Sequence, residues 1–327
     1  MLFSRSLQRT LLKILSLFSL VRGYNIAILV IAQYLTARYI LSPETGWWNL
    51  VFDLPFFCIV AASALTTAAG YIINNFYDAA KDQINRPKKY VLEHLVSQQL
   101  QLVLYLLLNL LGLVFASGVS FRAVLFFLFY MFSIWLYSSW IKRLFWLSNL
   151  FAALLMIFPF WGITLYLENF ETVVFYHAAY LFFLILARDI VKDLENLKGD
   201  WVQRYKTLPI VFNVSITKTI STLIMLFCFL PSYYLIQEPL GVMQYYFKAG
   251  IPFLIFVLVF LWRAQDQKAY LWTHNLIKFW ILIFNQSWRV RCIAVSPDAL
   301  SAARPPNDAL MVAALRDRTS YPQRRRP

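Results

Sequence analysis

The chain reads as an all-α polytopic membrane protein with eight to nine transmembrane helices. Mean hydropathy is +0.60 over 327 residues, 60% of which are hydrophobic. Only 14% are charged, against about 25% in soluble chains. Apolar runs of about 20 residues recur along the sequence, the length that crosses a bilayer as a helix with every backbone polar group bonded internally.

The spans fall approximately at Ile14 to Ile40, Leu54 to Phe76, Leu100 to Ser117, Ala123 to Trp140, Phe145 to Leu167, Val173 to Ile190, Ile216 to Leu235 and Ala249 to Trp262. A ninth candidate, Tyr270 to Phe284, is shorter and carries His274 and Lys278. The N-terminal run has the look of a signal peptide, but its apolar stretch continues past Arg22 and Asn25 without an A-x-A-like cleavage site. It is therefore taken as helix one.

Lys and Arg in short loops are retained on the cytoplasmic side. Arg5, Arg9 and Lys13 precede helix one, while Lys81, Arg86, Lys88 and Lys89 follow helix two. Lys142 and Arg143 follow helix four, Lys192, Lys198, Arg204 and Lys206 follow helix six, and Arg263 and Lys268 follow helix eight. With no targeting element in view, this predicts a multi-pass protein of a prokaryotic plasma (inner) membrane. The net charge of +14 is accounted for by topology and anionic head groups, and no nucleic-acid partner is expected. Cys58, Cys228 and Cys292 are too scattered for a metal site or a disulfide framework.

From about Asn285 the composition turns to Arg, Pro, Ala and Asp. The expected division is a transmembrane domain at 1–284 and a basic tail at 285–327, disordered or out of frame, that cuts helix nine short.

Two acidic groups lie at the same end of their spans. Asn74, Asp78 and Asp82 are spaced by four, as are Asp189 and Asp193. That spacing stacks oxygens on one helical face, and carboxylates beside membrane spans are functional more often than ornamental. The second face continues to Asn196 and Asp200 unless Gly199 ends the helix. Mg²⁺ takes hard oxygen ligands and keeps places for substrate phosphate, so two facing groups would make a magnesium diphosphate site. The competing reading is solvated helix caps, with Lys192 paired to Asp189 or Asp193. Lys81, Lys142, Arg143, Lys192, Lys206 and Arg22 are candidate phosphate-binding cations. Arg22 and Asn25 are expected on one helical face pointing into the bundle.

The run Asn74-x-x-x-Asp78-x-x-x-Asp82 with Ile84-Asn85-Arg86-Pro87, then Asp189-x-x-x-Asp193 and Lys206-Thr207-Leu208-Pro209, resembles the UbiA superfamily of intramembrane prenyltransferases. The likeness extends from about Val21 to Trp280 and includes YSSWIKR. It implies a nine-helix bundle around a central cavity open to lipid. It also implies transfer of an isoprenyl group from its diphosphate to a lipophilic acceptor, with Asn74, Asp78, Asp82, Asp189 and Asp193 holding Mg²⁺ diphosphate. The Ile-Asn-Arg-Pro run is similar to the ether-lipid branch, so a geranylgeranylglyceryl phosphate-type alcohol is the expected acceptor. An aromatic quinone precursor, 4-hydroxybenzoate or dihydroxynaphthoate, is the alternative. Asn75 stands where many members have Asp, and KKYVLEHLVS replaces a common Arg-Pro-Leu-x-Ser-Gly-like run.

The chemistry fits without the family name. Breaking an allylic C–O bond puts negative charge on the diphosphate, which cations stabilise, and an apolar surround keeps water from the allyl fragment. CDP-alcohol phosphotransferases also use helical Asp clusters, but their Asp-Gly followed by Ala-Arg is absent around Ala187-Arg188-Asp189. A cation transporter would place carboxylates near the midplane on broken helices, not at one interface. The partners implied are a prenyl diphosphate, a lipophilic acceptor and membrane lipid, with no obligate protein partner.

Overall fold

Fourteen α-helices make up the described part of the chain. The computed structural model describes residues 5–286 apart from 86, 94, 146, 203, 239, 241 and 242. Arg86 of the Ile-Asn-Arg-Pro run, the Lys81 side chain and nearly all of the 285–327 tail lie outside the described residues.

The helices are α1 (Arg5–Leu20), α2 (Gly23–Thr36), α3 (Trp47–Val51), α4 (Leu54–Asn85), α5 (Pro87–Glu93), α6 (Gln98–Ser117) and α7 (Phe121–Ser139). They continue with α8 (Leu147–Leu167), α9 (Thr172–Val202), α10 (Leu208–Val211), α11 (Val214–Phe227), α12 (Phe229–Gln237), α13 (Met243–Arg263) and α14 (Gln267–Gln286). A π-helical turn, Ala37–Leu41, extends α2, and a 3₁₀ turn, Ile141–Arg143, follows α7. Among the described residues, eight segments are long and apolar enough to cross a membrane: Gly23–Leu41, Leu54–Ala80, Gln98–Ser117, Phe121–Arg143, Leu147–Leu167, Thr172–Val202, Val214–Gln237 and Met243–Arg263.

Short polar side chains start several of these helices by bonding the otherwise orphaned first N–H groups. Asp53 Oδ1 accepts from Phe56 N at 3.2 Å, Ser97 Oγ from Leu100 N at 3.3 Å, Ser120 Oγ from Ala123 N at 3.1 Å and Asn213 Oδ1 from Ile216 N at 3.0 Å.

The first expected span is not one helix. Arg22 adopts a left-handed conformation, φ 50° and ψ 52°, and separates α1 from α2. Gly23 follows because a Cβ there would collide with the Phe18 ring folded back over it. Arg22 and Asn25 consequently do not share a continuous helical face. α1 instead packs on α5, with Ser16 Oγ donating to Leu92 O at 2.7 Å and Ser19 Oγ to Glu93 Oε1 at 3.1 Å. The expected Ile216 to Leu235 span is likewise two helices, meeting at Cys228.

α4 and α9 are the hubs. α4 packs against α2, α6, α7, α8 and α9, and α9 against α4, α8, α11, α12 and α14. Their shared core holds Phe56, Ile59, Ala62, Ala153, Leu184 and Val191, all nearly inaccessible. Small residues let the helices approach as they do throughout membrane bundles; a Cβ on Gly70 would meet Ile134 at 3.0 Å.

α8 contains Pro159, which has no N–H to offer the carbonyl one turn earlier. That carbonyl, Leu155 O, accepts instead from Tyr130 Oη at 3.2 Å, and Tyr130 Oη also lies 3.3 Å from Thr67 Oγ1. Gln33 Nε2 donates to Pro159 O at 3.0 Å and to Ser63 Oγ at 3.1 Å. Buried side chains of α2, α4 and α7 thus restore the polar balance that the proline disturbs.

The ninth candidate is α14, Gln267–Gln286, 20 residues or about 30 Å of helix; the residues that would show whether the tail truncates it lie outside the described residues. Gly199 does not end α9, which continues to Val202 and buries Asn196 and Asp200 against its neighbours.

Candidate active site

The acidic residues arrive on the two longest helices, α4 with 32 residues and α9 with 31. At 1.5 Å per residue these run to about 48 and 46 Å, well over the ~30 Å of hydrocarbon. Counted from Leu54 and Thr172, the first twenty or so residues reach Ile73 and Val191. The acidic groups therefore sit at the rim or just beyond it, where charge is tolerated.

α7 and α8 supply what lies between them. The 3₁₀ turn after α7 directs Lys142 inward, and its Nζ lies 2.8 Å from Asp78 Oδ1; the side chains are 5% and 17% exposed. The same ammonium stands 5.5 Å from the Tyr77 ring centroid. Two residues into α8, the buried Asn149 donates from Nδ2 to Asp193 Oδ2 at 2.9 Å and to Asp189 Oδ2 at 3.5 Å. Both α9 carboxylates thus converge on one amide nitrogen. Lys192 Nζ lies 3.7 Å from Asp189 Oδ1, one of the pairings expected of a charged helix end. Tyr137 of α7, partly buried, is within electrostatic reach of Asp78, Asp189 and Asp193 together. The two acidic groups, over a hundred residues apart in sequence, therefore share one locality.

Not every candidate residue belongs to it. Asn74 and Asp82 lie on the Asp78 side of α4, partly buried. Arg143 and Lys206 are exposed, Arg143 at the 3₁₀ turn and Lys206 in the coil after α9. Arg22 stacks its guanidinium over the Tyr71 ring at 4.7 Å, and Asn25 Oδ1 accepts from Lys278 Nζ at 3.3 Å. Sequence reasoning missed Asn149, Tyr137 and Lys278. Asn149 carried a legible sign, an amide at the head of an apolar run seven residues after Lys142.

Among the described residues, no three His, Cys, Asp or Glu side chains gather closely enough to hold a metal ion unaided. Mg²⁺ asks less than that, since one or two carboxylates suffice when substrate phosphate and water complete its shell. The oxygen donors here meet that condition. One buried polar atom at the site, Asn149 Oδ1, has no hydrogen-bond partner in the protein, as a group facing a polar ligand would.

Carboxylates from two spanning helices, with a buried lysine and asparagine between them, make up the candidate site of an α-helical membrane protein. The sequence model of the UbiA prenyltransferase family matches residues 28–282. The chain belongs to that family and is a prenyltransferase, which sets aside the ion-transporter alternative.

Its relatives include digeranylgeranylglyceryl phosphate synthase of Sulfurisphaera tokodaii, 26% identical over 243 residues, covering 74% of this chain and 82% of the relative. The synthase of the same name from Methanobrevibacter smithii is 27% identical, covering 80% of this chain and 94% of the relative. Among solved structures, a UbiA homologue from Archaeoglobus fulgidus bound to GPP and Mg²⁺ superposes with a TM-score of 0.62 at 13% identity. It covers 84% of this chain and 99% of that one. A structure described as a digeranylgeranylglyceryl phosphate synthase in membranes gives a TM-score of 0.63 at 17% identity, covering 84% and 97%. At such identities the structural likeness establishes the fold.

Proposed function

We propose that this protein transfers a geranylgeranyl-type group from its diphosphate to the free hydroxyl of a geranylgeranylglyceryl phosphate-type lipid. The reaction uses Mg²⁺ at the cytoplasmic face of a prokaryotic plasma membrane. The observation that carries the reading is the placement of Lys142 against Asp78 and of Asn149 against both Asp189 and Asp193, with Tyr137 within electrostatic reach of all three carboxylates. The names of the relatives support the alcohol acceptor over an aromatic one. Catalysis resides in residues 1–284, and 285–327 is an appended tail.

The acceptor oxygen bonds to C1 of the allyl group as the C1–O bond to diphosphate breaks, and diphosphate carries away the hydroxyl proton. Asp78, Asp82, Asp189, Asp193 and Asn74 are the residues that would hold Mg²⁺, which supplies charge neutralisation to the leaving diphosphate. Lys142, fixed by Asp78, adds a positive charge that needs no reorganisation as the leaving group forms. Asn149 spaces Asp189 and Asp193 by bonding both. The apolar walls of the bundle keep water from the allyl fragment.

The test is the full chain in lipid with Mg²⁺, radiolabelled geranylgeranyl diphosphate and three acceptors: geranylgeranylglyceryl phosphate, 4-hydroxybenzoate and dihydroxynaphthoate. Metal-dependent label in the ether lipid, lost in Asp78→Ala and Asp189→Ala, is the expected result. Label in an aromatic acceptor alone would replace the acceptor assignment. Label in none, with no Mg²⁺-dependent diphosphate binding, would refute the reading.

A further inference from the structure

α2 with its π-helical extension crosses the membrane without help from α1. Gly23–Leu41 is 19 residues, about 28 Å of helix, against ~30 Å of hydrocarbon. α1 thus ends where that span begins, at the rim on the side of the acidic groups. Packing puts it at the same level. Leu20, the last residue of α1, is buried with Ile72 and Val96. Ile72 lies about 28 Å along α4, and Val96 stands just before the spanning helix α6, so both mark the rim.

The sequence of α1 divides into two sides. Arg5, Arg9 and Lys13 recur every fourth residue and share a side with Ser16, whereas Leu7, Leu11, Leu15 and Phe18 fall on the other. Ser16 and Ser19 bond α5, so the polar side is the one turned to the protein. Leu12, Leu15 and Phe18 are 47%, 56% and 56% exposed, and Val91 of α5 and Leu95 just after it are 64% and 49% exposed. Lys13 and Lys88 are exposed beside them. A helix of this length is marginal in water by itself, and so much apolar surface at the rim is costly unless lipid covers it. The left-handed turn at Arg22 frees α1 from the axis of α2 and lets it lie along that rim.

We infer that α1 and α5 form a docking platform for the anionic phospholipid surface of the leaflet on the carboxylate side. The apolar side of α1 enters the acyl boundary while its basic residues lie at the level of the head-group phosphates, the arrangement of an interfacial amphipathic helix. Charge selects this occupant over a second copy of the chain. Residues 5–20 contain three cations and no carboxylate, so two such helices repel each other, whereas an anionic leaflet attracts both. The platform adjoins the site, because α5 begins at Pro87, shortly after Asp82 at the far end of α4. Its seating on the leaflet fixes how far that end of α4 stands above the lipid.

The test is hydrogen–deuterium exchange of the full chain, one copy per nanodisc, in phosphatidylcholine alone and in phosphatidylcholine with phosphatidylglycerol. Exchange in α1 requires the helix to open, and opening is resisted by its seat. Each basic residue at an anionic surface corresponds to about a 5-fold factor, or on the order of 100-fold for three. The expected result is exchange in residues 5–20 slowed roughly 10- to 100-fold by phosphatidylglycerol, with α9 unchanged as the internal reference. The slowing should vanish in Arg5→Gln/Arg9→Gln/Lys13→Gln, and Leu15→Ser/Phe18→Ser should speed exchange of α1 in both lipids.

Equal rates in the two lipids, or a slowing that survives removal of the three charges, would overturn the inference. So would protection that appears only in discs holding two copies, which would give the apolar side to a neighbouring chain. None of these readouts depends on prenyl transfer, so the platform and the transferase reading stand or fall separately.

Discussion

Lys142→Met separates two roles that one ammonium plays. In the native chain its Nζ is 2.8 Å from Asp78 Oδ1 with both side chains largely out of water. Removing the charge takes the ammonium from a carboxylate that keeps only 17% of its exposure. Breaking a buried pair costs 3–5 kcal/mol where no water reaches. With Asp78 partly open, about 1–3 kcal/mol is expected, or roughly 1.5–4 °C in the unfolding midpoint for a chain of this size. A divalent cation can take over the vacated oxygen, so Mg²⁺ should restore much of the loss.

Thermal unfolding in nanodiscs, with and without Mg²⁺, would therefore show a lower midpoint for Lys142→Met without metal and a larger Mg²⁺-induced rise than in native protein. The methionine keeps the length and most of the volume of the lysine stem, so packing should change little. Equal midpoints without metal, or equal metal responses, would refute the idea that Lys142 and a cation compete for Asp78.

Three further outcomes follow from the same geometry. Asp193→Asn should lower kcat by about 10²- to 10³-fold in the radiolabel assay without loss of folded protein, because Asn149 can bond an amide oxygen in place of the carboxylate. Asn149→Leu should weaken Mg²⁺-dependent diphosphate binding by about 10-fold or more, read by titration, since Asp189 and Asp193 would lose the group that spaces them. Tyr130→Phe should lower the unfolding free energy by about 1 kcal/mol or somewhat more and leave both KM values unchanged, because it orphans Leu155 O far from the site.

Much of this was legible in the sequence. Hydropathy marks the spans because lipid imposes the same demand on each one, and the i, i+4 carboxylates survive as a pattern because helical spacing converts directly into a shared face. The break at Arg22 was not legible from hydropathy, since residues on either side are equally apolar and the turn depends on a left-handed residue beside a glycine. Lys278 and His274 marked the ninth candidate as an unusually polar span, and they are the residues that face Asn25 and Glu195. Arg143 and Lys142 are adjacent and chemically alike, and only the 3₁₀ turn decides that one is inward and the other exposed. Asn149 joins Asp189 and Asp193 through a contact 40 and 44 residues distant in sequence, which no local pattern encodes.

The proline in α8 has a consequence for alignment along the membrane normal. A helix held only by apolar contacts can slide by a turn against its neighbours at modest cost, because one hydrocarbon surface resembles the next. The contacts of Tyr130 with Leu155 O and of Gln33 with Pro159 O are single-valued: one step of sliding leaves a carbonyl and an amide unmatched in an oily medium. They act as dowels through the middle of the bundle, locking α2, α7 and α8 at one height. Lys142 follows α7 and Asn149 begins α8, and they meet Asp78 and the α9 carboxylates respectively, so the relative height of those two groups is set deep in the bilayer, well away from the charges it serves.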